Sequence, residues 1–265
     1  ALSMLLTGLQ RSLRRTSVQA SVPILGIGSK ITSMAFTPDW SILAMGNQDG
    51  SIILRDINGQ SILASPSFRH SEAILSLVYS PDGTHMASGS LDGNAYIYNI
   101  KEKAVFAPVS GDEEIWSVAF SPDNSTLAIG RMGGVVTLWD IQSWDKDKIK
   151  NVHDYALHAG GVYSLAWSPD SQKLASGGSD RILLVWSAET GRTIYNLEGH
   201  TGKIRSLAWS PNGQYIASGS EDNTVILWDA INGRMIGSPL TGHNWIVTSV
   251  RFSPDSKVLA SASAD

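Results

Sequence analysis

Three side chains whose types together suggest hydrolysis stand close to one another in the sequence near residue 220. The segment ASGSEDNTVILWD at 217–229 contains Ser218 and Asp222, and His200 precedes it in the dipeptide GH. Serine, histidine and aspartate form a hydrolase's charge relay, in which the histidine takes the serine's proton and the aspartate orients the histidine. The set is therefore either catalytic or a part of the fold.

The same set recurs along the chain at the same spacing. In each copy the serine lies four residues before the aspartate, and in the complete copies an aromatic residue lies six residues after it. The copies are His70, Ser88, Asp92 and Tyr98; His158, Ser176, Asp180 and Trp186; His200, Ser218, Asp222 and Trp228; and His243, Ser261 and Asp265. Because an active site is needed only once, the repetition favours a structural role, and we expect no catalytic residue and no enzyme activity.

A buried hydrogen-bond chain would give each member of the set a partner. The tryptophan indole N–H donates to the serine, the serine donates to one histidine nitrogen, and the other histidine nitrogen donates to the aspartate. Four of the six histidines are used in this way, one per copy, and the chain has no cysteine. The sequence therefore predicts no metal site. It contains no nucleotide-binding or hydrolase motif, so we expect no cofactor and identify no small-molecule substrate.

The copies belong to a repeating unit of about 42 residues. Its landmark is the tripeptide SPD or a near copy, and the prolines of successive landmarks are 43, 41, 47, 42 and 43 residues apart. An alternating apolar stretch precedes each landmark, and two short apolar stretches follow it, separated by Gly or Asp turns. This pattern predicts three or four short strands per unit and antiparallel blades packed around an axis.

The units resemble the WD-repeat β-propeller family, with GH at 199–200 and 242–243 and WD at 139–140 and 228–229. The resemblance implies an all-β fold, a β-propeller of four-stranded antiparallel blades, with five complete units and a partial sixth. We expect the chain to be a fragment of a longer ring, commonly seven-bladed in this family. The units are expected at 28–69, 70–111, 112–157, 158–199, 200–242 and 243–265. Residues 20–265 then form the propeller, beginning with a strand at 20–27, and the non-repeating residues 1–19 form a helix or linker.

Units one and three have lost most of the recurring set. Unit three has Gly111, Ile129 and Gly133 at the histidine, serine and aspartate positions and keeps only Trp139. Either these units have drifted, which we favour, or they have given up internal hydrogen bonds to present surface to a partner. Unit three also contains a charged insertion at 142–157, which predicts a solvated outer loop, with Trp144 as the anchor if a partner binds there.

The resemblance implies that function sits on the narrow face of the propeller, formed by the loops before each blade and by the second turns. The patch predicted on this face comes from units two to five and consists of Leu75, Leu91, Trp116, Met132, Tyr163, Lys203 and Arg205. An exposed apolar patch edged by cations is typical of a protein-binding hot spot. The leading hypothesis is a non-catalytic scaffold that binds partner proteins or peptides on this face.

Two other hypotheses stay open at this point. One is the C-terminal sensor or autoinhibitory propeller of a multidomain signalling NTPase or similar regulator. The other is an enzyme with its site at the centre of the ring, which no convergent carboxylates support. The net charge of −4 argues against a nucleic-acid partner, and no stretch approaches the ~18 apolar residues of a membrane span. We expect the cytoplasm as the compartment, with the nucleus as the alternative.

Overall fold

The computed structural model describes residues 29–58, 61–63, 66, 68–144 and 148–265, and only the backbone of 106–109. Within these ranges every regular element is a strand. The helix or linker predicted at 1–19 and the strand predicted at 20–27 lie outside the described residues.

The strands form six antiparallel sheets, five with four strands and the last with two, and in each sheet the strands pair in chain order. Sheet one contains β1 (Ile31–Phe36), β2 (Ile42–Asn47), β3 (Ile52–Asp56) and β4 (Ile62–Leu63). Sheet two contains β5 (Ile74–Tyr79), β6 (His85–Ser90), β7 (Ala95–Asn99) and β8 (Ala104–Val109). Sheet three contains β9 (Ile115–Phe120), β10 (Thr126–Arg131), β11 (Val135–Asp140) and β12 (Lys150–Ala156).

The later sheets repeat this arrangement. Sheet four contains β13 (Val162–Trp167), β14 (Lys173–Gly178), β15 (Leu183–Ser187) and β16 (Thr193–Leu197). Sheet five contains β17 (Ile204–Trp209), β18 (Tyr215–Ser220), β19 (Val225–Asp229) and β20 (Arg234–Met235), and sheet six contains β21 (Val247–Phe252) and β22 (Leu259–Ser263). The fold class predicted from the repeats, propeller blades of antiparallel strands, is confirmed.

The SPD landmark forms the turn between the first and second strands of each sheet. In sheet two, Ser80 Oγ donates to Asp82 Oδ1 at 2.5 Å, and the same carboxylate oxygen accepts the N–H of Thr84 at 3.0 Å. Gly83 then takes a φ of 71°, in the left-handed region that glycine adopts without strain. Side chain and backbone together therefore reverse the chain at this point.

Successive sheets approach closely because the second strand of each carries a glycine. A Cβ atom at Gly89 in β6 would lie only 2.5 Å from Cγ2 of Ile115, the first residue of the next sheet. The corresponding glycines of the other sheets and the residues that a Cβ there would meet are Gly46 and Ile74, Gly130 and Val162, Gly177 and Ile204, and Gly219 and Val247. Each glycine thus admits the leading aliphatic residue of the next sheet, and the core consists of the layers between sheets.

The insertion of unit three differs from the prediction of a solvated loop. Residues 150–156 form β12, an exposed outer strand that pairs with β11, because their backbone can complete the open edge of the sheet. Trp144 stacks on His85, with ring centroids 3.6 Å apart and an interplanar angle of 4°. Trp144 therefore packs against sheet two of the same chain.

Candidate functional site

The first strand of every sheet contains one residue that has no partner in the pairing register. In sheet four, for example, Val162 pairs with Gly178 and Ser164 with Gly177, so that Tyr163 is the extra residue of a β-bulge. The corresponding residues of the other sheets are Thr32, Leu75, Trp116, Arg205 and Thr248. A bulge bends the strand locally and redirects a side chain.

All six bulged residues line one cavity of about 330 Å³. Ile246 and Ala264 of sheet six complete its lining. Four residues predicted for the binding face, Leu75, Trp116, Tyr163 and Arg205, are thereby brought together from four sheets. A larger cavity of about 400 Å³ lies beside Ser171 and Ile194 in sheet four, away from the bulged residues.

The other three predicted face residues, Leu91, Met132 and Lys203, lie at the rim of the cavity, that is, at the second turn or at the start of the first strand. The same backbone hydrogen bond recurs there from sheet to sheet. Met132 N–H donates to the carbonyl of Glu114 at 3.0 Å, and Leu91 N–H donates to the carbonyl of Ala73 at 3.0 Å. In sheet five the bond runs to the carbonyl of Lys203, from Glu221 N–H at 2.9 Å. This bond holds the second turn of each sheet beside the start of its first strand. Among the three, Met132 is the exposed one, at 42% of its surface.

Trp116, Tyr163 and Arg205 form a compact cluster at one side of the cavity. The two aromatic rings are tilted by 55°, with centroids 4.7 Å apart. The guanidinium carbon of Arg205 lies 4.5 Å from the Tyr163 ring centroid and 5.7 Å from that of Trp116, within the range of cation–π attraction. The Nε of Arg205 donates to Glu221 Oε1 at 2.7 Å, and the indole N–H of Trp116 donates to Glu114 Oε2 at 2.8 Å.

The patch is less exposed than the sequence predicts. Tyr163 is only 9% exposed, and Trp116 is half-buried, because Arg205 covers both rings. The exposed apolar surface predicted for these two residues is therefore wrong, and the residues form the wall of a recess. The sequence interpretation also left sheets one and six out of the patch, although Thr32, Ile246, Thr248 and Ala264 contribute to the lining. Their matching positions in the repeat were the available signal.

The recurring histidine, serine and aspartate form hydrogen-bond chains within single sheets. In sheet five, His200 Nδ1 lies 2.8 Å from Asp222 Oδ2, His200 Nε2 lies 2.8 Å from Ser218 Oγ, and the Trp228 indole N–H donates to Ser218 Oγ at 2.8 Å. The corresponding distances in sheet four are 2.8, 2.7 and 3.1 Å, for His158–Asp180, His158–Ser176 and Trp186–Ser176. These histidine side chains are fully buried. A buried serine already engaged on both sides has no access to a substrate.

Two copies are incomplete. In sheet two, His70 contacts Asp92 and Ser88 at 3.0 and 2.8 Å, but no hydrogen bond joins Tyr98 to Ser88 among the described residues. The predicted role of Tyr98 as the fourth member is wrong, because a phenol carries its hydroxyl at the far end of the ring, whereas an indole carries its N–H on the edge of the ring, two bonds from the ring atom joined to Cβ. In sheet six, His243 Nε2 lies 2.8 Å from Ser261 Oγ and His243 Nδ1 lies 3.5 Å from Asp265, and all three residues are more exposed.

The charges of the sheet-two copy follow from its surroundings. Burial lowers the pKa of His70 below its ordinary value of 6.5, against the opposing effect of Asp92. Burial would raise the pKa of Asp92, but the backbone N–H groups of Asn94 and Ser71 and the neighbouring His70 outweigh it, so this pKa is lowered from 3.8. A neutral His70 therefore donates from Nδ1 to an ionised Asp92 at neutral pH.

Sheet three lacks this hydrogen-bond chain, and the loss leaves buried polar atoms without partners among the described residues. With Ile129 in place of serine, the buried indole nitrogen of Trp139 has no hydrogen-bond partner among the described residues, and the neighbouring Thr137 hydroxyl has none there either. The carboxylate of Glu113 would lie within 2.7 Å of a Cβ at Gly133, close to the place that the aspartate side chain takes in the other sheets. Sheet three therefore keeps the tryptophan for packing alone.

The described ranges lack two other features, a cluster of metal ligands and a membrane-spanning helix. No group of three His, Cys, Asp or Glu side chains in these ranges is placed to hold a metal ion. The part of the chain that the structure describes holds no helix with the length and apolar character that a membrane crossing requires.

Family models match successive parts of the chain. The model described as WD domain, G-beta repeat matches residues 105–140, 149–187, 191–229 and 233–265. The model described as Anaphase-promoting complex subunit 4 WD40 domain matches residues 34–110. A comparison with curated proteins finds no relative that matches this chain. Each matched repeat begins in the outer strand of one sheet and continues through the first strands of the next, so that neighbouring blades share a repeat.

Proposed function

Because the chain belongs to the WD40-repeat family, we propose that it is a non-catalytic scaffold that binds partner proteins or peptides at the cavity lined by the six bulged residues. WD40 repeat domains generally serve protein–protein interaction and are generally not catalytic. The observation that carries the proposal is the convergence of one bulged residue from each sheet on a single cavity.

The composition of this cavity supports a protein or peptide as the partner. Its aromatic residues and its arginine are the residue types that dominate binding energies at protein interfaces. Leu75 and Ile246 add apolar surface, and Met132 at the rim adds a flexible side chain that adapts to different partners. Such a recess binds a side chain of a partner better than a flat surface does, because it removes more of that side chain from water.

The second family model favours a partner within a multiprotein assembly. The protein for which that model is described is a subunit of a complex, the anaphase-promoting complex. For the present chain we propose only the general feature, an interaction with other proteins. The sensor propeller of a larger regulator would use the same face, and the cytoplasmic location stays a prediction that cell fractionation would check.

Quantitative affinity purification tests the proposal. The variant Trp116→Ala/Met132→Ala removes one wall and one rim residue, and we expect it to lose the partners that wild type retains. The matched control is Trp40→Ala. Trp40 is 55% exposed but lies in the SPD turn of sheet one, at the opposite end of the strands. If the double variant retained every partner at the wild-type yield, the proposed site would be wrong.

A further inference from the structure

The charged side chains around the cavity differ in the hydrogen bonds and ion pairs that they form. Glu114 accepts the indole N–H of Trp116 at 2.8 Å, and Glu221 accepts two N–H groups of Arg205. Both carboxylates are thus committed to side chains of the chain itself. Lys203, in contrast, forms no ion pair among the described residues. The formal charges of these four groups balance, and among the described residues Lys203 is the one of the four whose charged group has no side-chain hydrogen bond.

Arg205 has donors to spare. A guanidinium carries five N–H groups, and here Nε and one Nη both donate to the same oxygen of Glu221. Three N–H groups remain, and no second acceptor for them lies among the described residues. The arginine side chain is 28% exposed, so an entering group can reach it. Glu221 therefore orients Arg205 without using up its capacity for hydrogen bonds.

The aromatic rings are already covered by a cation. Arg205 lies 4.5 Å from the centroid of Tyr163 and 5.7 Å from that of Trp116, and Lys203 Nζ lies 6.0 Å from the centroid of Tyr163. A lysine or arginine of a partner would have to displace Arg205 from the ring faces that it already covers. The cavity therefore disfavours a basic side chain.

We infer that the partner residue entering this cavity is an acidic side chain, aspartate or glutamate, adjacent to an aliphatic residue in a peptide segment. This inference rests on the proposed function and adds the chemistry of the partner. The carboxylate accepts the remaining N–H groups of Arg205, and Lys203 adds favourable charge. The aliphatic neighbour contacts Leu75 and Ile246 on the apolar wall.

A selection from random heptapeptides tests the inference. The peptides are displayed on phage through their C-termini, so that no free terminal carboxylate is present, and selected on wild-type protein after removal of binders to Trp116→Ala/Met132→Ala. We expect enrichment of Asp or Glu beside Leu, Ile or Val. One enriched peptide is then synthesised with an acetylated N-terminus and an amidated C-terminus, and its acidic residue is replaced by the amide to give a matched pair.

Three variants test which residue causes the preference for the acidic peptide over its amide counterpart. Wild type should bind the acidic peptide at least roughly tenfold more tightly than its amide counterpart. Arg205→Gln should remove that preference, whereas Glu221→Gln should increase it because Arg205 loses the negative charge that it is paired with. Arg234→Gln is the control, since Arg234 is exposed on the outer strand β20 and the same charge is lost away from the cavity. Thermal unfolding of each variant confirms that it is folded.

The outcomes separate the two proposals. Enrichment of basic or uncharged peptides that need Trp116, or an acidic preference that survives in Arg205→Gln, would overturn the inference and leave the proposed function standing. A selection that yields no peptide distinguishing wild type from the Trp116→Ala/Met132→Ala variant would count against both.

Discussion

The rings of Trp116 and Tyr163 lie with their centroids 4.7 Å apart although they belong to different sheets. Each is the bulged residue of its own first strand, so the same local irregularity places both on one cavity. Arg205, the bulged residue of the next sheet, closes over both rings. The repeated β-bulge therefore places the side chains of the candidate site, while the regularly paired part of each strand contributes to the core.

Asp222→Ala should destabilise the protein by about 1–3 kcal/mol, because the buried His200 and the N–H of Thr201 lose their acceptor. Chemical denaturation of wild type and variant measures this difference. Asp265→Ala is the control, because the corresponding pair with His243 is longer, at 3.5 Å, and more exposed. We expect a smaller loss for it. An unchanged stability of Asp222→Ala would contradict the structural role.

Trp228→Phe should cost more stability than Trp139→Phe, by about 1 kcal/mol. Both changes remove the same atoms, but the Trp228 indole donates to Ser218 at 2.8 Å, whereas the buried Trp139 nitrogen has no partner in the part of the chain that the structure describes. Losing the Trp139 N–H relieves an unsatisfied donor, and losing that of Trp228 breaks a bond. Denaturation of the two variants in parallel measures the difference, and equal losses would show that the hydrogen bond contributes nothing.

Gly89→Ala should destabilise the stacking of sheets two and three by about 1–3 kcal/mol. The added methyl group would lie 2.5 Å from Ile115 Cγ2, so one sheet must shift. Gly111→Ala is the control, because a Cβ there meets no atom of the described residues within 4 Å. Thermal unfolding of both variants tests the prediction, and a Gly89→Ala protein as stable as wild type would show that the sheets can separate freely.

Stability should fall on acidification from about neutral pH, and His70 and Asp92 contribute with the same sign. Both pKa values are lowered by folding, so the unfolded chain binds more protons. The contribution of His70 is complete above 6.5 and is lost as the pH falls through its lower folded pKa. The contribution of Asp92 is complete above 3.8 and is lost below it.

Urea unfolding at pH 7.5 and pH 5 measures the first of these steps. His70→Gln should show a smaller decrease over this interval than wild type, because the glutamine does not titrate. His85, whose pKa is also lowered by burial, remains in both proteins and accounts for a part of the slope that they share. A wild-type protein that gained stability on acidification would contradict the prediction.

The predictability of the site differs among its residues for a physical reason. Tyr98 was expected to replace an indole because it occupies the matching position in the repeat. Whether its hydroxyl meets Ser88, however, depends on where the two side chains lie in space. Tyr163 was expected on the surface, but the arginine that covers it comes from the next sheet. The charge pattern of 142–157 predicted a solvated loop. Residues 150–156 nevertheless form a strand, because the edge of β11 offers them hydrogen-bond partners.

The sequence by itself predicted the strands on either side of each SPD turn and their order along the chain, because turn residues and period-2 alternation act over a few neighbouring residues. It also predicted a structural role for the histidine, serine and aspartate sets, because they recur. The repeat predicted that four of the bulged residues share one face, but only the tertiary structure decided how the side chains on that face contact one another. Contacts such as Arg205 over Trp116 and Tyr163 join residues of different sheets that are far apart in the sequence, so no local pattern specifies them.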